Sequence, residues 1–175
     1  MKSLLFALGL ALCCVVQAER FEDFDHSKIN RNQYVVAIAT NCQKMKEMLP
    51  HMKASPVTFE QLSADEIKMT IDMATPNGCQ KMSPVLKREN GAFTTTCGKG
   101  GKKTLEQIEM IGTSMYTSLT LSHRKGQCKM ASLSVTNLAD AQAAMEGFRD
   151  FADRNSLEEE DVHALSREGI CPRSS

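Results

Sequence analysis

The 175-residue chain contains no tryptophan, and aromatic residues make up only 5% of it. Its core must therefore come from aliphatic side chains and from eleven methionines, which adapt to irregular apolar shapes more readily than rings do. Net charge is missing too. Twenty-one basic side chains balance 21 acidic ones, so the basic excess that nucleic acid or an anionic membrane surface would demand is not there. The four histidines, His26, His51, His123 and His163, show no H-x-x-x-H or related metal spacing. The cysteines form no C-x-x-C unit, which argues against a zinc site. No metal and no cofactor is expected. Nor does an Asn-x-Ser/Thr sequon occur, so no N-glycan is expected.

One long apolar run is present, from Leu4 to Val16. With Lys2 before it and the small-residue pattern Val16-Gln17-Ala18 after it, residues 1–18 read as a secretory signal peptide. The run is shorter than the ~20 residues needed to span a bilayer, and no second stretch of that length follows, so membrane insertion is not expected. Residues 19–175 are long enough for a single domain with a sizeable core. Cys42, Cys79, Cys97, Cys128 and Cys171 remain in it. Secretion favours pairing, but an odd number cannot all pair within one chain. At least one thiol is free or bonded to another molecule, which leaves room for a dimer through a free cysteine.

Short β-forming runs separated by turn signals fill the middle of the chain. A polar turn from Ser27 leads into the apolar run 34–39, one strand long. A second run is 56–62. The clearest is 66–74, where Ile67, Met69, Ile71 and Met73 alternate with Lys68, Thr70 and Asp72. Thr75-Pro76-Asn77-Gly78 is a turn, and 79–87 follows with Met82, Pro84 and Leu86 on one face. Asn90-Gly91 is a hairpin signal leading into 92–97. A Gly/Lys loop, 98–103, precedes 104–111, which carries Ile108 and Met110 on one side. Residues 116–123, with Leu119 and Leu121 alternating with threonine and serine, and residues 128–136 complete eight strands.

Two other segments stand apart from this pattern. Residues 43–53 carry Met45, Met48, Leu49 and Met52 among lysines and read as a flexible loop or one helical turn, since Pro50 opposes a long helix. From Leu138 the period changes: Leu138, Ala141, Met145, Phe148 and Ala152 form one stripe of a helix. Asn137 can cap it, Asp140 suits its first turn, and Arg154-Asn155 ends it. Residues 162–165 read as a short strand before a tail holding Cys171. Eight short strands predict a sandwich or a barrel. The single amphipathic helix needs an outer sheet face to pack on. It tilts the choice to an all-β, eight-stranded antiparallel up-and-down barrel with the helix outside.

The first strand resembles the opening motif of the lipocalins, Gly-x-Trp-Tyr-x-x-Ala-x-Ala-Ser: Tyr34, Ala37 and Ala39 match, and Thr40 stands for the serine. Arg31 and Gln33 take the places of the glycine and tryptophan. Asn77-Gly78-Cys79 is similar to the start of the family's fourth strand, and Gly169-Ile170-Cys171 to the segment whose cysteine bonds it. The second and third motifs are reduced to Thr113-Ser114-Met115 and Val135-Thr136. The chain is identified as a diverged member of this family. Residues 77–81 and 158–162 are most similar to the branch holding extracellular fatty-acid-binding protein, lipocalin-15 and lipocalin-type prostaglandin D synthase. In the family the first-strand tryptophan stacks on an arginine of the third motif. Gln33 and Val135 replace both, and losing both partners strands neither.

The resemblance implies a barrel clamped by Cys79–Cys171. On an up-and-down path the first strand ends, and the eighth begins, at the open mouth, so Cys42–Cys128 would be a second disulfide and Cys97 would be left free. It also implies a secreted, extracellular carrier of a small hydrophobic molecule such as a fatty acid, steroid or odorant. Met69, Ile71, Met73, Met82, Leu86, Phe93, Ile108, Met110, Leu119 and Leu121 are then expected to alternate into the interior and meet the ligand. The alternative is that they fill a solid core, in which case the mouth loops 45–52 and 98–103 would serve a receptor or other protein partner. Lys99, Lys102, Lys103, Arg124 and Lys125 are candidates to attract an anionic head group, solvated loop lysines being the plainer reading. Catalysis is not expected. The branch's synthase uses a second-strand cysteine, residues 53–62 contain none, and Ser132 and Ser134 have no paired His or Asp.

Overall fold

The computed structural model describes residues 32–97, 100–124 and 126–173, with Cys97 described by its backbone alone. The expected signal peptide, Arg31, His26, Lys99 and Lys125 lie outside these residues. Ten strands form one antiparallel sheet. They are β1 (Asn32–Thr40), β2 (Ser55–Ser63), β3 (Glu66–Thr75), β4 (Gly78–Met82), β5 (Val85–Glu89), β6 (Ala92–Cys97), β7 (Gly101–Ile111), β8 (Ser114–His123), β9 (Gly126–Val135) and β10 (Val162–Ala164). Neighbours in the chain pair in order, except that β4 and β5 both pair with β3, and β9 returns to β1 to close the barrel. β10 adds itself outside the circuit, against Ala37–Ala39 of β1.

β4 and β5 share one place in the wall. β4 pairs with Ile71–Thr75 of β3, and β5 with Glu66–Lys68. The single strand expected over 79–87 is therefore broken, at Ser83-Pro84, where proline brings no N–H to continue a ladder. The loop expected at 98–103 is also shorter, because β7 already begins at Gly101. Residues 43–53 resolve into α1 (Gln43–Met48) and a 3-10 turn, Leu49–His51, with Pro50 inside that turn.

The helix α2 (Ala141–Arg154) follows a 3-10 turn whose entry is capped as expected: Asn137 accepts a hydrogen bond from the Ala139 N–H at 3.0 Å. Its buried face comprises Ala141, Met145, Phe148, Phe151 and Ala152, so Phe151 joins the expected stripe. That face packs on the outward side chains of β1, β8 and β9, among them Ala37, Ala39, Tyr116, Ala131, Leu133 and Val135. The Tyr116 ring lies 6.1 Å from Phe148 and 5.6 Å from Phe151, and its hydroxyl donates to the Ala144 carbonyl at 3.3 Å. Gly147 makes this approach possible, since a Cβ there would sit 2.9 Å from the Tyr116 oxygen.

The C-terminal tail is fastened to the outer surface. Cys171 bonds Cys79, as expected, with Cα atoms 5.7 Å apart. Arg173 then spreads over the start of β1 and β2. It donates to the carbonyls of Gln33 and Val57 at 3.0 and 3.1 Å and stacks 5.0 Å from the centre of the Tyr34 ring. The family's stacked cation at the first strand is thus replaced by a different arginine, on the neighbouring tyrosine and on the opposite face of β1 from Gln33.

Candidate ligand site in the barrel lumen

Register fixes which side chains point inward, because residues paired across an antiparallel ladder share a face. Tyr116 points out beneath α2, so Met115, Thr117, Leu119 and Leu121 of β8 point in. Their partners carry the inward face around the barrel: Ser134, Ser132, Met130 and Cys128 on β9, and Met110, Ile108, Leu105 and Lys103 on β7. From β7 it continues to Phe93 and Thr95 on β6, and Arg88 lies across from Phe93 on β5. On the other side Val35, Ile38 and Thr40 of β1 lie opposite Ser134, Ser132 and Met130. Gln33 lies opposite Val57 of β2, which in turn faces Ile71 of β3.

Along these faces burial grades from one end to the other. Ile67, Leu86, Phe93, Leu105, Ile108 and Met115 form a closed apolar cluster at the floor. Arg88 lies over the Phe93 ring at 4.7 Å and its Nε reaches Asp65 at 3.3 Å. Higher up, Met69, Ile71, Met73, Leu119, Met130 and Ser132 are only half-buried although they face inward. Leu121 at the rim is buried again. Cys42 and Cys128 bond to each other at the mouth, with Cα atoms 5.1 Å apart, as expected. Oxygens at this rim are committed to structure: Thr40 Oγ1 donates to the Lys129 carbonyl at 2.8 Å and accepts from the Cys42 N–H at 3.1 Å.

The residues expected to meet a ligand are distributed unevenly over this surface. Leu86, Phe93 and Ile108 belong to the floor cluster, with Met69, Met110 and Leu119 packed against it. Ile71 packs instead with the larger core around β1, and Met73 sits above it on the same strand. Met82 shares the face of Ile71, yet 46% of it is exposed, because β4 stands free of β6. Of the basic candidates, Lys103 points inward, half-buried, level with Thr95 and Leu121. Lys102 points outward and pairs with Glu89 at 2.7 Å. Arg124 is exposed. Among the described residues no group of His, Cys, Asp and Glu gathers to hold a metal. His51 and His123 are exposed and His163 is half-buried.

Sequence reasoning missed Val35, Ile38, Val57, Phe59, Leu105, Met115, Thr117, Met130 and Ser132 as lumen residues. Two register shifts explain part of this. One lies between Val35 and Ala37, the other between Leu105 and Gln107. A bulge inserts an extra residue and flips the alternation, so Leu105 and Ile108 face the same way despite their odd spacing.

A cup of eight wall positions, largely apolar inside, graded from a packed floor to a half-open top and covered outside by one helix, has a counterpart in sequence. The model of the lipocalin / cytosolic fatty-acid binding protein family matches residues 34–168. The chain belongs to the lipocalins. This lipocalin is 27% identical over 173 residues to the extracellular fatty acid-binding protein of Coturnix japonica, across 98% of this chain and 97% of that one. Identity to the protein of the same name from Gallus gallus is 24% over the same length and shares. Among solved structures it is similar to the siderocalin Ex-FABP, which is described as functioning through dual ligand specificities. The TM-score is 0.70 at 21% identity, covering 85% of this chain and 96% of that one.

Proposed function

We propose that this lipocalin is a secreted carrier of a small hydrophobic molecule bearing an anionic head, and not an enzyme. The carrying observation is the gradient of burial on the inward faces. A solid core would bury Met69, Ile71, Met73, Leu119 and Met130 as completely as the floor cluster, whereas these side chains keep accessible surface while pointing inward. Covering that surface with an apolar ligand removes it from water at about 25 cal/mol per Å². Methionines suit this work because they re-pack around varied shapes. Lys103 supplies the one described inward ammonium at the upper level, where a carboxylate or phosphate would keep its head near water while its chain lies below. Two disulfides among the described residues, and relatives named extracellular, support secretion. β2 carries no cysteine, the residue used by the branch's synthase.

The experiment is native mass spectrometry of the protein secreted from its own source, followed by solvent extraction of what it holds. A co-purifying fatty acid or related amphiphile is the expected result, together with displacement of anilinonaphthalene sulfonate by fatty acids at micromolar concentration. If the protein emerges empty and the dye does not bind, the cup is not a site. Attention then passes to the mouth segment 43–53, where Met48 is half exposed, as a surface for a protein partner.

A further inference from the structure

Halfway down the lumen the apolar lining is interrupted. Thr117 of β8 and Ser132 of β9 face inward as a cross-strand pair, their hydroxyl oxygens 2.6 Å apart. Their surroundings on the inward face are hydrocarbon: Ile38 across from Ser132, Ile108 across from Thr117, with Met115, Leu119 and Met130 along the same two strands. Ser134 continues the polar strip downward on β9. On the facing wall Ile67, Met69, Leu86, Phe93 and Leu105 form an apolar band, with Arg88 across from Phe93 and with Thr95 and Lys103 above it. At the level of that band the Thr117–Ser132 pair is the polar interruption.

Each hydroxyl has one hydrogen to donate and two lone pairs to accept with. When Thr117 and Ser132 bond to each other, one hydrogen is spent and the other stays available for an acceptor. Thr117 is buried, whereas Ser132 is only half-buried although it faces inward, so the pair is approached from the lumen on the Ser132 side. Thr117 lies four residues down β8 from Leu121, the level of Lys103, roughly 13 Å along the strand at about 3.3 Å per residue. A ligand anchored by its head at Lys103 would bring the middle of its chain to the hydroxyl pair.

We propose that Thr117 and Ser132 form a second, uncharged polar subsite that reads an oxygen carried part-way along the ligand's chain, so that the preferred cargo is an oxygenated fatty acid, hydroxylated or keto-substituted, over its plain counterpart. This deepens the carrier reading above and rests on it. The chain oxygen accepts the unspent hydroxyl hydrogen, and a ligand hydroxyl also donates back to a free lone pair.

Oleate and ricinoleate test this directly, since they share chain length and double bond and differ by one mid-chain hydroxyl. Both are titrated calorimetrically into the wild type and into Thr117→Val/Ser132→Ala. The wild type is expected to bind ricinoleate about tenfold more tightly than oleate, the worth of roughly one good hydrogen bond. The double variant is expected to bind the two equally, with oleate affinity kept or improved. Ser132→Ala alone, which removes the half-buried member, should lose most of the preference and serves if the double variant does not fold. Equal binding by the wild type, or a preference that survives both variants, overturns the subsite and leaves the carrier standing. Failure of both fatty acids to bind the wild type overturns the carrier reading and the subsite with it.

Discussion

Under α2 the outward faces of β1, β8 and β9 are buried, whereas on the far side of the barrel β4 is exposed at every residue and pairs with the circuit only through β3. The first wall is a sandwich. Its outward residues Ala37, Ala39 and Ala131 are small, because a helix must approach them, and on the helix Gly147 makes room for Tyr116. The second wall is a fringe, stopped at Ser83-Pro84 and tied down by Cys79–Cys171. A barrel that closes around cargo needs a rigid half to hold its shape and a half whose changes cost little. Here the division follows the placement of a single helix.

The contrast is broken or upheld first by two truncations. Phe148 is fully buried between α2 and the sheet, and Phe148→Ala should cost about 3–5 kcal/mol of unfolding free energy in a urea titration. Met82→Ala on β4 should change it by less than about 0.5 kcal/mol. Comparable losses would mean that the fringe contributes to the fold as much as the sandwich does, and the two-wall description would fail.

Gln33 sharpens the comparison from inside the first wall. Its side chain is fully buried, and neither its amide nitrogen nor its amide oxygen has a hydrogen-bond partner. This wall thus carries an internal cost at the position where the family places tryptophan. Gln33→Leu, close in volume and with nothing to leave unpaired, should stabilise the protein by about 1–3 kcal/mol. A destabilisation would show that the amide is satisfied in solution, for instance by a water that enters the floor.

How much of this was legible in the sequence follows from what each feature depends on. Eight wall positions, the helix stripe from Ala141 to Ala152 and the Asn137 cap are local patterns, and local periodicity carried them. The two disulfides followed from the family order and the closed path. What failed to show is set by events with no local signature. The bulges in β1 and β7 reverse the alternation partway along a strand, hiding Leu105. Thr117 and Ser132 read as ordinary polar strand residues until pairing places them face to face in the lumen. Arg173 finds Tyr34 from 139 positions away, a distance over which no pattern in the chain speaks. A proline that ends a ladder was visible at Pro84, but its presence on one face of an alternating run concealed the break.

Acid and alkali offer the finest separation of the two walls. Burial first, and the nearby Glu109 charge second, hold the Tyr116 phenol above its ordinary pKa. A raised folded pKa stabilises the protonated fold. The contribution is complete below the unfolded value of about 10 and is lost as pH rises through the folded one. On the other wall Glu89 is held below its ordinary value, chiefly by the hydrogen bond from Lys102 and further by one from Thr94. Its contribution is present above an unfolded pKa of about 4.3 and disappears as pH falls through the folded one. Melting temperature followed against pH should therefore lose part of its alkaline decline in Tyr116→Phe and part of its acid decline in Glu89→Gln. Because Glu89 and Lys102 lie in solvent, salt should abolish the second effect and leave the first. If salt removes both, Tyr116 is not sealed beneath α2, and the wall described as a sandwich opens more readily than its packing implies.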